Sequence, residues 1–140
     1  MTKSLTNNTS TQSELEVRAF AMHFLSAFEN LDMPTFIACF ADEATAFFPS
    51  PEPPLRFSGK ATIQQRFEIV FSAIRASASE GPPFHRLPPQ DLLVQIINPE
   101  TALVSFHLLN AERTARRSLV LVKLEGTWRI LHLHASNGPP

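Results

Sequence analysis

Val17, Phe20, Phe24, Leu25, Phe28 and Leu31 follow one another at three- and four-residue steps, a spacing that predicts an amphipathic helix with one apolar stripe. Two capping boxes compete for its start, Ser13 with Glu16 and Thr11 with Glu14. Asp32 reads as the cap of a short second helix, with Pro34 in its first turn and Phe36, Ile37 and Phe40 turned inward. From Glu43 to Phe48 the period shortens to that of a strand, and a stiff Pro49-Ser50-Pro51-Glu52-Pro53-Pro54 loop follows. Ser58-Gly59 opens a third helix with the stripe Ile63, Phe67, Val70, Phe71 and Ile74, and Gly81-Pro82-Pro83 marks its end.

The remainder reads as strands. Asp91 to Ile97, Thr101 to Leu109, Arg116 to Leu124 and Thr127 to Ala135 are rich in Val, Ile and Leu, with turns at Asn98-Pro99-Glu100 and Glu125-Gly126. Helices followed by antiparallel strands predict an α+β fold with the helices gathered on one sheet face. Strict alternation in the last strand puts Leu131, Leu133 and Ala135 on one face and Trp128, Ile130, His132 and His134 on the other. A sheet apolar on both faces needs a second cover, most simply another copy of itself, so a homodimer through the sheet face is expected.

Composition narrows the classes. The chain has 140 residues, which suits one domain over 13–137 between a loose polar tail (1–12) and a short end (138–140). A net charge of -1 gives no basic field for nucleic acid. The first dozen residues lack the apolar stretch of an export signal, and runs such as Leu119 to Val122 fall far short of a membrane span. A lone cysteine, Cys39, excludes an intrachain disulfide and a multi-cysteine metal site; a cytoplasmic protein is expected. Tyrosine is absent, which removes every mechanism that uses a phenol, whereas 12 phenylalanines imply large rings around a core or a cavity.

Specific strings resemble a known family. Phe40-Ala41-Asp42-Glu43-Ala44-Thr45, Phe57-Ser58-Gly59-Lys60-Ala61-Thr62-Ile63 and Trp128-Arg129-Ile130-Leu131-His132-Leu133-His134-Ala135-Ser136 are similar, in order and spacing, to the nuclear-transport-factor-2-like, SnoaL-like superfamily. The likeness covers residues 14 to 137 and implies a cone, a curved antiparallel sheet wrapped around three helices. The terminal string and Thr45-Ala46-Phe47-Phe48-Pro49 also resemble the association domain of calcium/calmodulin-dependent protein kinase.

Fold and activity are loosely tied in such a superfamily, so the lining residues must decide. Ketosteroid isomerase needs a carboxylate base, a tyrosine and a protonated acid. The resemblance places these at Phe48, at Phe24 and near Ser118 to Val120, where no such group stands, and that chemistry is not expected. The kinase domain's pocket glutamate likewise falls on Phe48, its histidine on Gln64, and its arginines on Leu119, Ala135 and Leu108 or Leu109. The implied cavity is therefore apolar and suits a small hydrophobic or aromatic molecule, with Phe24, Phe48, Phe67, Phe106 and Leu133 as walls and Gln64 as an orienting polar group.

Other chemistry has weaker support. His132 and His134 share one strand face, but a metal would need further ligands such as His107, Asp91 or Glu112, and no second motif has ligand spacing; no metal or cofactor is expected. His85 and His23 are candidate general bases for an isomerase, lyase or cyclase, each without a visible partner. Asp42 is expected to bind backbone amides beside Glu43, and Arg113, Arg116 and Arg117 to form a solvated strand edge. Cys39 reads as a small buried hydrophobe, and no nucleophile elbow, phosphate loop or dinucleotide fingerprint is present. A purely structural, oligomerising role is the third alternative.

Overall fold

A computed structural model describes residues 2–50, 52–109 and 113–139, with side chains from residue 11 onward. The elements run α1 (Thr2–Glu29), α2 (Met33–Ala38), β1 (Phe40–Phe47), β2 (Phe57–Ser58), α3 (Lys60–Ser77), β3 (Gln90–Asn98), β4 (Thr101–Leu109), β5 (Thr114–Leu124) and β6 (Thr127–Gly138). The strands form one curved, open sheet in the order β2-β1-β6-β5-β4-β3, and the helices lie against one face. The α+β cone expected from the sequence is the observed fold.

Local chemistry explains most boundaries. Asp32 caps α2, its Oδ1 accepting from the Thr35 amide at 3.3 Å, with Pro34 in the first turn. Gly59 precedes α3 with φ of 92°, a conformation open to glycine, and its amide donates to Ala44 O at 2.7 Å. Glu125 and Gly126 both have positive φ (50° and 78°), the two-residue turn that matches strand twist between β5 and β6.

Several expectations need correction. α1 starts at Thr2, not near Ser13, so residues 2–12 carry helical backbone where a loose tail was expected; extending a formed helix costs far less than nucleating one. β2 was missed because two residues are too short for a period. α3 ends at Ser77, before Gly81, and β1 begins at Phe40. The sheet is not wholly antiparallel, since β1 runs parallel to β6. Among the described residues Asp42 accepts from no backbone amide: its exposed carboxylate sits 3.5 Å from Lys60 Nζ.

The most consequential correction is a bulge in β6. Ile130 pairs with Leu121 but His132 pairs with Val120, which leaves Leu131 as an extra residue and reverses the alternation there. Trp128 and Ile130 therefore face the helices together with Leu133 and Ala135, all of them buried, while His132 and His134 lie on the outer face. Trp128 Nε1 donates to Glu16 Oε1 on α1 at 3.3 Å. The outer face is thus less apolar than strict alternation predicts.

Between helices and sheet lies a core of phenylalanines. Phe36, fully buried, stacks on Phe24 (4.9 Å between centroids) and meets Phe67 (4.6 Å) and Phe71 (5.1 Å) edge-on. Leu119, Leu121, Ile130 and Val104 supply the sheet side.

Candidate functional site

The core does not fill the whole cone. A cavity of about 200 Å³ opens between α1, α3 and the inner face of β4, β5 and β6. Phe24, Leu25 and Phe28 come from α1, Phe67 and Val70 from α3, Phe48 from the residue just after β1, and Phe106, Leu108, Leu133 and Ala135 from the sheet. The rings hold one another: Phe48 meets Phe67 at 5.3 Å and Phe57 at 4.9 Å, and Phe28 meets Phe67 at 5.7 Å. A cavity of ~150 Å³ lined by such groups accommodates benzene. This one has room for a single-ring molecule.

All five expected wall residues, Phe24, Phe48, Phe67, Phe106 and Leu133, line this cavity. Gln64 does not. It is half-buried a turn nearer the start of α3, whereas the lining on that helix consists of Arg66, Phe67 and Val70.

The expected uniformly apolar lining is also incomplete. Arg66, Arg113 and Arg117 border the cavity, with Asn137, and among the described residues the lining holds no carboxylate. Register explains why the sequence misled. Arg116 and Arg117 sit on opposite faces of β5: Arg116 pairs with His107 and Ser136 and is exposed, while Arg117 pairs with Phe106 and Ala135 on the inner face. Arg117 is half-buried, its Nη1 donating to Arg116 O (2.9 Å) and Ser136 O (3.3 Å). Burial first, and the neighbouring charge of Arg113 second, lower its pKa. A guanidinium nevertheless remains charged near neutral pH.

The histidines are dispersed. His85 borders a neighbouring depression of about 400 Å³ that shares Phe28, Leu108, Arg113, Arg117 and Asn137 with the cavity. Its segment is held by the end of α1, with the Phe84 amide donating to Glu29 O (2.9 Å) and the Leu87 amide to Glu29 Oε2 (2.6 Å). His85 Nε2 lies 2.9 Å from Phe28 O, and because a carbonyl only accepts, Nε2 carries the proton and Nδ1 is left as an acceptor. His23 is exposed and borders a different depression with Thr35, Cys39 and Arg129, away from the phenylalanine lining.

His132 and His134 form an outer-face cluster with Thr45, Phe47 and Arg56. Thr45 Oγ1 lies 2.7 Å from His132 Nδ1, Phe47 packs edge-on to both imidazoles (5.2 and 5.5 Å), and Arg56 stacks on Phe47 at 5.3 Å. Burial, then the charges of His134 and Arg56, lower the His132 pKa against the opposing effect of the Thr45 backbone. Among the described residues no three His, Cys, Asp or Glu side chains are grouped to hold a metal; Glu112, one suggested ligand, lies outside the described residues. Cys39 is buried, its thiol pushed up to about 11 by desolvation and its Sγ donating to Thr35 O at 3.5 Å, as a packing residue rather than a nucleophile. Among the described residues no helix is long and apolar enough to cross a membrane.

The fold is shared with solved structures at low identity. An NTF2-like protein of unknown function from Pseudomonas putida KT2440 superposes with a TM-score of 0.73 at 22% identity, over 90% of this chain and 87% of that one. An NTF2-like protein with a cystatin-like fold from Novosphingobium aromaticivorans gives 0.74 at 11% identity, covering 96% and 88%. A ketosteroid isomerase-like protein from Erwinia carotovora atroseptica SCRI1043 gives 0.70 at 17%, covering 91% and 97%. No curated protein matches the chain. The SnoaL-like domain matches residues 17–140, nearly the whole sequence, and the chain belongs to that family.

Proposed function

We propose that the protein binds a small hydrophobic or aromatic molecule in the phenylalanine-lined cavity. The carrying observation is the enclosure itself: five phenylalanines and several aliphatic side chains surround about 200 Å³ of space inside an otherwise packed cone. The phenylalanine side of the cavity favours an apolar part of a guest, because those walls hold no polar group to be desolvated without a partner. An environment-sensitive apolar dye should bind with one-to-one stoichiometry and be displaced by single-ring aromatic compounds. Absence of saturable binding by any such probe would count against the reading.

A second reading is catalytic. His85 has one nitrogen fixed by Phe28 O and the other available as a base, beside a depression continuous in its lining with the cavity. A carbonyl orients that imidazole but adds no negative charge behind it, so the base would be weaker than one backed by a carboxylate. Loss of turnover in His85→Gln with ligand affinity retained would favour this reading.

A homodimer through the outer sheet face is retained as a proposal on residues other than those first expected. Leu93 is 51% exposed opposite Ser105, and the cross-strand pair Leu103 and Val120, the next position along that face, is half-buried. A solution mass equal to one chain would exclude the dimer, and a mass well above two would point to a larger ring.

A further inference from the structure

We propose that the cavity's ligand is an organic anion, a single ring bearing a carboxylate, with the ring among the phenylalanines and the carboxylate held by Arg117. The inference rests on the binding reading above and goes beyond it by fixing the ligand's charge.

The sheet register carries the argument. Along the inner face of β5, Leu121 and Leu119 are fully buried, and the next inward position is Arg117. Its cross-strand neighbours are Phe106 on one side and Ala135 on the other, so a guanidinium stands where the strand pattern calls for an apolar side chain. Holding a cation there costs hydration, and among the described residues no acidic side chain forms an ion pair with it. A bound anion would supply the missing counter-charge.

The hydrogen bonding fits as well. Both bonds to protein carbonyls are made by Nη1, which anchors the group against Ser136 and Arg116. Nε and Nη2 have no protein partner and are not among buried unsatisfied atoms of the described residues, so these donors are open to solvent or a ligand. Nε–H and one Nη2–H form the parallel pair that takes both oxygens of a carboxylate. Arg66 from α3 adds positive potential on the same cavity. The apolar volume limits the rest of the ligand to about one ring.

The decisive comparison uses two probes of matched shape, phenylacetate and phenylacetamide, titrated calorimetrically into the full chain. Phenylacetate should bind about tenfold or more tightly than the amide, the scale of one charge-assisted hydrogen bond. That preference should shrink as salt is raised and should vanish in Arg117→Met. Should Arg117→Met fail to fold, Arg66→Gln carries the test by reducing the preference in part. Equal affinity for acid and amide would overturn the anion inference while leaving the binding reading standing. Binding of neither probe would overturn both.

Discussion

The two ends of the sheet's inner face are built from the same three strands and are filled in opposite ways. At one end Ala102, Leu121 and Ile130 lie side by side, each fully buried, in one core cluster with Phe36 and Phe40. Farther along the same strands Phe106, Arg117 and Ala135 face a cavity. Phe24 and Phe67 form the partition, since both pack on Phe36 and both line the void. The closed end has a plug, the capped helix α2, whose Phe36 ring meets Phe40 of β1 at 5.6 Å. The open end is bordered instead by arginine and proline, and these do not fill the hollow. Packing thus serves stability at one end and leaves room for a guest at the other.

Substitution should separate the two ends. Phe36→Ala removes a fully buried ring in contact with five others and should cost about 3–5 kcal/mol in denaturant unfolding. Phe48→Ala, at a half-buried wall position, should cost only about 1–2 kcal/mol while enlarging the cavity. Equal losses would abolish the distinction between plug and wall. Ala135→Leu sharpens it further: the added side chain occupies the void, so dye binding should be lost with a stability change of less than about 1 kcal/mol.

The outer face gives a smaller, pH-dependent effect. The folded-state pKa of His132 is lowered from 6.5, so the native chain binds that proton less readily than the unfolded chain. Its contribution is fully present above pH 6.5 and is lost as pH falls from 6.5 through the lowered value. Urea midpoints should drop across that window, and His132→Asn should flatten the drop; an unchanged profile would refute the assignment. The smallest expected signal is at Cys39. A thiol held near 11 and buried should resist alkylation at pH 8 in the native chain and react readily in urea.

Much of this was legible in the sequence. The stripe from Val17 to Leu31, the Asp32 cap, the Glu125-Gly126 turn and the span of β4 follow from residue periods and turn chemistry, and family likeness pointed to Phe24 and Phe48. Two features were hidden for a shared reason. The extra residue at Leu131 swaps the faces of β6, and no side-chain pattern marks it. Arg117 was read with Arg113 and Arg116 as one solvated cluster because adjacency in sequence conceals opposite faces in a strand.

The sequence by itself determined the elements and the greasy interior, because helical and strand periods and turn residues act over a few neighbours. Only the tertiary structure decided which side chains enter the hollow and that a guanidinium is among them. Strand register is a property of pairing between distant segments, so a one-residue bulge or the parity of Arg117 changes the chemistry of the site without changing any local pattern.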